Sequence, residues 1–385
     1  MKRAVVVLVA LTTLFALSAC RGKNKPADAP AYPVKIETVD GIRTVLNPEF
    51  PREGVFRYAL QDDLTIGGEE GDNESVLNRP KSLDVDAQGN IYVMDWGDVD
   101  IKVFAPDGRP LRTIGKKGQG PGEFNTPAYF AVSADGRIFL LSGRQNMVTI
   151  LDNAGHYISS FRVSGFSDAL AVDRQNRIYY SMRLFPGRGS GEEFKIRQNR
   201  IALFRADETG REHVQLGEFL DVITMEKVQG SGKGTSYVTM GSPDAYTTSW
   251  LVGPDDRVYL GYTRDYLVTA YDPDWKPVFR FGREFTPIRH PLYSPDNAHP
   301  EFYPAFSDSG KFFDDKGNLW LKQYARGDSD EVQEHVFDVF SPEGIYLKQV
   351  RVPQALVLVR GDAGFSIIRT EDDLLIVKRF RMVPE

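Results

Sequence analysis

Apolar and polar residues alternate along most of this chain in short runs, and the runs recur as one phrase. An apolar strand leads into an Asp/Gly/Asn turn, then an aromatic-rich strand, a polar loop, an alternating strand, a second turn and a last alternating strand. The clearest copy spans residues 80–115, with SLDVD, AQGN, IYVMD and DIKVFAPDGRPLRTIG in succession. Later copies read FAVSADGRIFLL with MVTILDNAGHYISSF, ALAVDRQNRIYYSM with RIALFRADETGREHVQL, and SWLVGPDDRVYLGY with LVTAYDPDWKPVFRF. The last two read KFFDDKGNLWLK with HVFDVFSPEGIYLKQV, and LVLVRGDAGFSII with DDLLIVKRF. Period-two alternation over such short stretches marks half-buried strands.

Gly89, Gly136 and Gly317 occupy the first turn of their copies, with Asn176 and Asp256 at the same place elsewhere, and Asp373 completes the series. Gly108, Gly155, Gly210 and Gly344 occupy the second turn. These residue types tolerate the positive φ of hairpin turns. Four short strands per repeat of about 40 residues predict propeller blades rather than a solenoid or a sandwich. The interval from 176 to 256 holds only one recognisable blade, so its excess is assigned to loops at 183–200 and 222–246. The last copy lacks a fourth strand, and residues 54–67 (GVFRYALQDDLTIG) read as one lying before the first copy. Closing the ring with that strand removes exposed sheet edges. The expected fold is therefore all-β, a six-bladed β-propeller of four-stranded antiparallel blades over residues 54–385, its N-terminal strand completing the last blade. Ahead of it, residues 34–46 alternate on both sides of Asp40-Gly41, which predicts a hairpin within 34–53 that packs on the propeller's side.

The extreme N-terminus departs from this pattern. Lys2 and Arg3 precede an apolar run, residues 4–16, of signal-peptide length and too short to span a bilayer. Leu17-Ser18-Ala19-Cys20 follows, and Cys20 is the only cysteine of the 385 residues. This tetrapeptide resembles the bacterial lipobox, which implies cleavage before Cys20 and acylation of its thiol and amine. Residues 1–19 then form the signal peptide and 20–33 a lipidated tether rich in Lys, Ala and Pro that reaches about 40 Å when extended. Arg21 rather than aspartate after the cysteine points to the outer membrane. With Cys20 acylated the body has no disulfide and stands on its core alone. Loss of Lys2 and Arg3 takes the net charge from −6 to −8. An acidic body without a basic cluster argues against nucleic acid as a partner.

The copy at 80–115 resembles NHL repeats, through Asp86-x-x-Gly-Asn-Ile-Tyr-Val-x-Asp95 and the following I-x-V-F and D-G-x-x-L. The junction GKKGQGPGEF, ending at Phe124, resembles the GxGPGEF linker between blades of bacterial six-bladed β-propeller lipoproteins. The resemblance implies fold and export, and it transfers no catalytic residue.

Candidate chemistry is sparse. Of the five histidines, His156, His213 and His335 flank outer strands. No His-x-His or His-x-x-x-His pair exists, which gives no sequence signal for zinc. His290 and His299 lie in a Pro-rich connection where they could line one mouth, though loop packing is the preferred reading. Acidic residues such as Asp84, Asp86, Asp95, Asp98, Asp100 and Asp135 could supply calcium with oxygen ligands. Aspartate also bonds its own turn backbone, so no cofactor is assigned and calcium stays as the alternative. Residues 118–124 lack the Lys-Ser/Thr of a phosphate-binding loop and read as an inter-blade linker. Phe285, Tyr293, Phe302, Tyr303 and Phe306, set among prolines, form a candidate binding loop. A non-enzymatic envelope module that binds a protein or glycan is the first functional reading. A metal-dependent hydrolase, lactonase or lyase using the central mouth is the second.

Overall fold

The computed structural model describes residues 32–68, 76–143, 145–163, 165–184, 195–231, 234–242, 244–324 and 334–385. The signal segment, Cys20 and nearly all of the tether lie outside them, as does the middle of the 183–200 segment. Residues Val34–Glu385 form one unit. Among the described residues there is no helix, and hence none long and apolar enough to cross a membrane.

Each sequence copy folds into one blade. Blade one is the meander Pro80–Val85, Ile91–Asp95, Asp100–Phe104 and Pro110–Ile114. Blade two runs from Pro127–Val132 to Tyr157–Arg162, blade three from Phe166–Val172 to His213–Ser231, and blade four from Thr248–Val252 to Pro277–Arg283. Blade five runs from Phe306–Phe313 to Tyr346–Val352. Blade six comprises Leu358–Arg360, Ala363–Arg369 and Leu375–Pro384, and Val55–Ile66 is its outer strand. The ring thus closes as six blades through the N-terminal strand. That strand also makes three parallel pairings with blade five, Val55–Arg57 against Gln349–Arg351, so blades five and six share one sheet.

The turns explain the repeated residue types. Gly89, Gly136, Asn176, Asp256 and Gly317 all carry positive φ at the first turn. In blade six that turn is Gly361, φ 59°, and Asp373 instead joins the second and third strands. The anchor expected at 373 is therefore displaced by one hairpin, because the first strand of this blade is only three residues long. At the second turn Trp275 of blade four adopts φ 63° where other blades use glycine.

Among the described residues, the excess in blade three is strand rather than loop. Its fourth strand extends to Ser231 and pairs with Gly234–Gly241, from Thr224↔Gly241 to Ser231↔Gly234. Residues 222–246 were read as loop for their Gly and Ser content. Those residues mark the turn, and the β-branched stretches on either side form the arms.

Consecutive antiparallel strands sort the connections onto two faces. First and second turns open on one, here the turn face. Second-to-third-strand loops and blade-to-blade crossings open on the other, the connection face. The crossing from blade one to blade two is the Gly-rich linker, and Phe124 from it is fully buried among Tyr92, Met94, Ile114, Ile138 and Leu140. A Cβ on Gly115, which has φ 78°, would come within 2.2 Å of the Phe124 ring, so only glycine fits there.

The hairpin Lys35–Val39 and Ile42–Asn47 adds two strands to blade four, with Ile42–Asn47 running parallel to its outer strand. Buried Asn47 pins it. Its side chain donates to Gly282 O (2.8 Å) and Gly344 O (2.9 Å) and accepts from Tyr346 N (2.9 Å), which ties the hairpin to blades four and five.

Candidate functional site

On the turn face all six blades line a funnel of about 780 Å³. Its first-turn aspartates are engaged by their own turns. Asp86 Oδ1 accepts from the backbone of Gln88 (2.9 Å) and Asn90 (2.8 Å), and Oδ2 from the Asn90 side chain and the Tyr92 hydroxyl. Asp173 and Asp314 repeat the arrangement, with Tyr179 and Trp320 as the aromatic donors. Asp84 accepts from Val85 N (2.8 Å) and Val132 N (3.2 Å), and burial pushes its carboxyl above the ordinary range. Asp95, wholly buried, accepts the backbone N–H groups of Asn78, Arg79 and Gly97 at 2.7–3.0 Å and so clips the entry to blade one.

Asp100 differs. Its Oδ1 is buried without a partner, and burial raises its pKa to about 6, with Lys102 opposing. A carboxyl raised in the fold adds stability below its ordinary value of 3.8 and loses it as pH climbs through about 6. Asp100→Asn is therefore expected to stabilise the protein at neutral pH. The gain is about 1 kcal/mol once the group's partial exposure is discounted, vanishing near about pH 4. Urea unfolding of both proteins at the two pH values reads this directly, and an equal difference at both would remove the explanation.

The connection face is uneven, and its enlarged sector spans blades three to five. The segment entering blade four (residues 242–247) and the connection entering blade five (284–305) meet there. Tyr324, following the second strand of blade five, completes the contact. His290, 3% exposed, lies 2.7 Å through Nε2 from Asp244 Oδ2. Tyr324 donates to Asp244 Oδ1. Burial, followed by Asp244 itself, holds the Tyr324 hydroxyl well above the ordinary tyrosine range. His299 stacks on His290 with ring centroids 4.8 Å apart, and its Nδ1 lies 2.9 Å from Ser242 Oγ.

Beside this cluster is a recess of about 300 Å³. Ser242, Thr247, Thr263, Ser307, Ser309 and Tyr324 are among its hydroxyl-bearing lining residues, with Arg183 and Asp308 as its charges. It exists because the innermost strand of blade five bulges between Phe306 and Lys311, where Gly310 takes φ 76°. The Asp308 carboxyl is half exposed, and Lys311 with a hydrogen bond from Ser249 holds it below its ordinary value.

The five candidate loop aromatics separate. Phe306 is 1% exposed and sits in the core with Tyr266 and Phe340, and Phe285 packs on the same cluster. Tyr303 covers His290 at 4.6 Å between ring centroids. Phe302 is held by its backbone, its N–H donating to the Tyr246 hydroxyl (3.1 Å) and its carbonyl accepting from it (2.7 Å). Tyr293 stands half-buried near the tip, beside Leu292, which is 61% exposed. Of the other histidines, His156 bonds its own turn through Asp152, and His213 packs against Phe161 and Tyr180. Asp244, which joins His290 and His299 into one cluster, was not singled out by sequence reasoning. It lies 46 residues from His290 and belongs to no local motif.

Fold and site together define a six-bladed β-propeller with one elaborated sector. In sequence, residues 73–215 match a family described as 6-bladed beta-propeller. No curated protein matches the chain. Among solved structures, a Bacteroides fragilis NCTC 9343 protein described as exported superposes with a TM-score of 0.51 at 10% identity, over 85% of this chain and 99% of that one. A Bacteroides vulgatus protein gives 0.48 at 10% identity over 91% and 99%. Virginiamycin B lyase of Staphylococcus aureus gives 0.42 at 11% identity over 84% and 99%. The first of these shares the fold.

Proposed function

We propose that this chain is an exported, lipid-anchored binding module of the cell envelope whose connection face captures a glycan in the recess between blades three, four and five. One observation carries the reading: hydroxyl-bearing residues of blades four and five, Ser307 and Ser309 at their exposed end, line a recess of about 300 Å³ together with Arg183 of blade three. That size suits a small ligand, and hydroxyls that both donate and accept match the groups a saccharide presents. Tyr293 and the exposed Leu292 stand at the rim, where a longer glycan or its carrier would extend. The lipobox-like Leu17-Ser18-Ala19-Cys20 supports acylation at Cys20 and anchoring in the outer membrane. The turn-face carboxylates Asp84, Asp86, Asp173 and Asp314 are taken up by donors of their own or the neighbouring blade, so a calcium-dependent hydrolase in the funnel draws no support from them.

Saturation-transfer NMR of the purified mature protein with oligosaccharides released from its own envelope tests this reading. Saturable contacts are expected, weakened roughly tenfold in Ser309→Ala, as for loss of a hydrogen bond to a polar ligand group. If no saccharide binds while crosslinking in the envelope captures one protein at the 285–306 connection, the partner is that protein and the glycan reading falls.

A further inference from the structure

We infer that Asp244, His290 and His299 form a binding site for a divalent transition-metal ion of the zinc class. Their ligand atoms all lie within 4.8 Å of one another, a spread that a single ion can bridge. Two imidazoles and one carboxylate make a borderline donor set that suits zinc or cobalt and poorly suits calcium or magnesium, which prefer all-oxygen cages. Three protein ligands leave a fourth tetrahedral position for water or a ligand atom. Asp244 and His299 are each only half-buried, so solvent reaches the site, whereas His290 is buried and fixed.

The surrounding contacts already orient the ligands, as outer partners do in metal sites. Tyr324 holds one oxygen of Asp244 and leaves the other facing His290. Ser242 Oγ occupies Nδ1 of His299 at 2.9 Å, which leaves Nε2 as that ring's remaining ligand nitrogen. Tyr303 also packs on His290, with ring centroids 4.6 Å apart.

Metal binding here carries a signature that a plain hydrogen-bond cluster lacks. Leu292 N–H lies 3.1 Å from His290 Nδ1, so that nitrogen is an acceptor and the ring proton sits on Nε2, directed at Asp244. An ion taking Nε2 displaces that proton. The neutral ring then carries its proton on Nδ1, where it meets the Leu292 N–H, and that hydrogen bond must open. Loading is thereby coupled to the tip of the connection, where Leu292 O also accepts from the Asn297 side chain at 2.8 Å.

The test uses the mature chain stripped with a chelator and titrated with Zn²⁺ and Co²⁺. One equivalent of each is expected to bind, cobalt giving the intense visible absorption of a tetrahedral site, and amide exchange at Leu292 should speed up on zinc loading. His290→Ala endangers the fold, so His299→Ala and Asp244→Asn are the working variants. Each should weaken binding by more than roughly tenfold, since loss even of an outer partner costs about that much, while His156→Ala leaves it unchanged. The inference is overturned if no saturable binding occurs, or if both variants bind zinc as tightly as the wild type. Glycan binding is read on the metal-free protein, so the failure of either reading leaves the other standing.

Discussion

Removing residues 54–67 is expected to abolish cooperative folding of the whole domain. The strand Val55–Ile66 is the outer strand of blade six and pairs with Leu375–Pro384 from Val377↔Ile66 to Pro384↔Tyr58. Its first residues also pair with blade five, so its loss opens two blades at once and exposes two strand edges. Ile66, 3% exposed, sits in the shared core of blades five, six and one with Val93, Phe337 and Val377. Leu60 and Leu64 pack on the same cluster, and Leu64 lies against Gly108 of blade one. Lys378 and Arg379 lose their partners Asp62 and Asp63 as well. Each buried aliphatic side chain is worth about 1.5–3 kcal/mol. Losing buried Ile66, the partly buried Leu60 and Leu64 and a full ladder of hydrogen bonds removes an amount comparable with the roughly 5–15 kcal/mol that stabilises a domain. Thermal unfolding followed by near-ultraviolet circular dichroism reads the outcome. A truncated protein that melts sharply near the wild-type temperature would show that the ring closes without this strand.

Asp338→Ala is expected to cost about 3–5 kcal/mol, the largest effect of any single substitution proposed for this fold. Asp338 is fully buried on the third strand of blade five, and its charge is balanced by Arg283, whose Nε lies 2.8 Å away at the end of blade four. The hydroxyls of Tyr266 and Tyr346 donate to it, the latter at 2.6 Å, and Gln323 adds a bond at 3.0 Å. The Arg283 guanidinium also lies over the Tyr266 ring, 4.3 Å from its centroid. Burial and then the Asp338 charge push the Tyr266 hydroxyl well above the ordinary tyrosine range, so it stays protonated as a donor. Alanine would strand a buried cation and two buried hydroxyls together. Asp338→Asn keeps the shape without the charge and should lose less. Urea denaturation midpoints of the two variants rank them. A cost under about 1 kcal/mol for alanine would mean that water replaces the carboxylate.

The repeat was legible because blades are local objects. In blades one, three and five an aspartate ahead of the first turn, a glycine or asparagine at positive φ in it and an aromatic two residues into the next strand form one local unit, the aspartate accepting from the turn and from the aromatic. Asp86, Gly89, Asn90 and Tyr92 show this in full. Blade six misled the count of turns because its shortened first strand leaves little alternation to read. In blade three the Gly-Ser content of a hairpin tip resembles that of a loop, and only the pairing of its arms separates the two.

Aromatic residues in 285–306 showed the same limit in another form. Sequence places Phe285, Tyr293, Phe302, Tyr303 and Phe306 in one Pro-rich stretch, and nothing local tells which of them faces solvent. The fold sends Phe306 into the core and leaves Tyr293 near the tip, because the stretch begins and ends in strands whose inward faces are already set by blades four and five. Strand alternation and turn chemistry thus determine the blades from sequence alone, since each depends on neighbours a few residues apart, and the missing fourth strand of the last copy points to closure by Val55–Ile66, although the strands that pair there lie more than 300 residues apart. Which polar side chains meet was decided by the ring. Asp244, His290, His299 and Tyr324 are carried on three separate segments, and only the packing of blade four against blade five brings them within hydrogen-bonding reach.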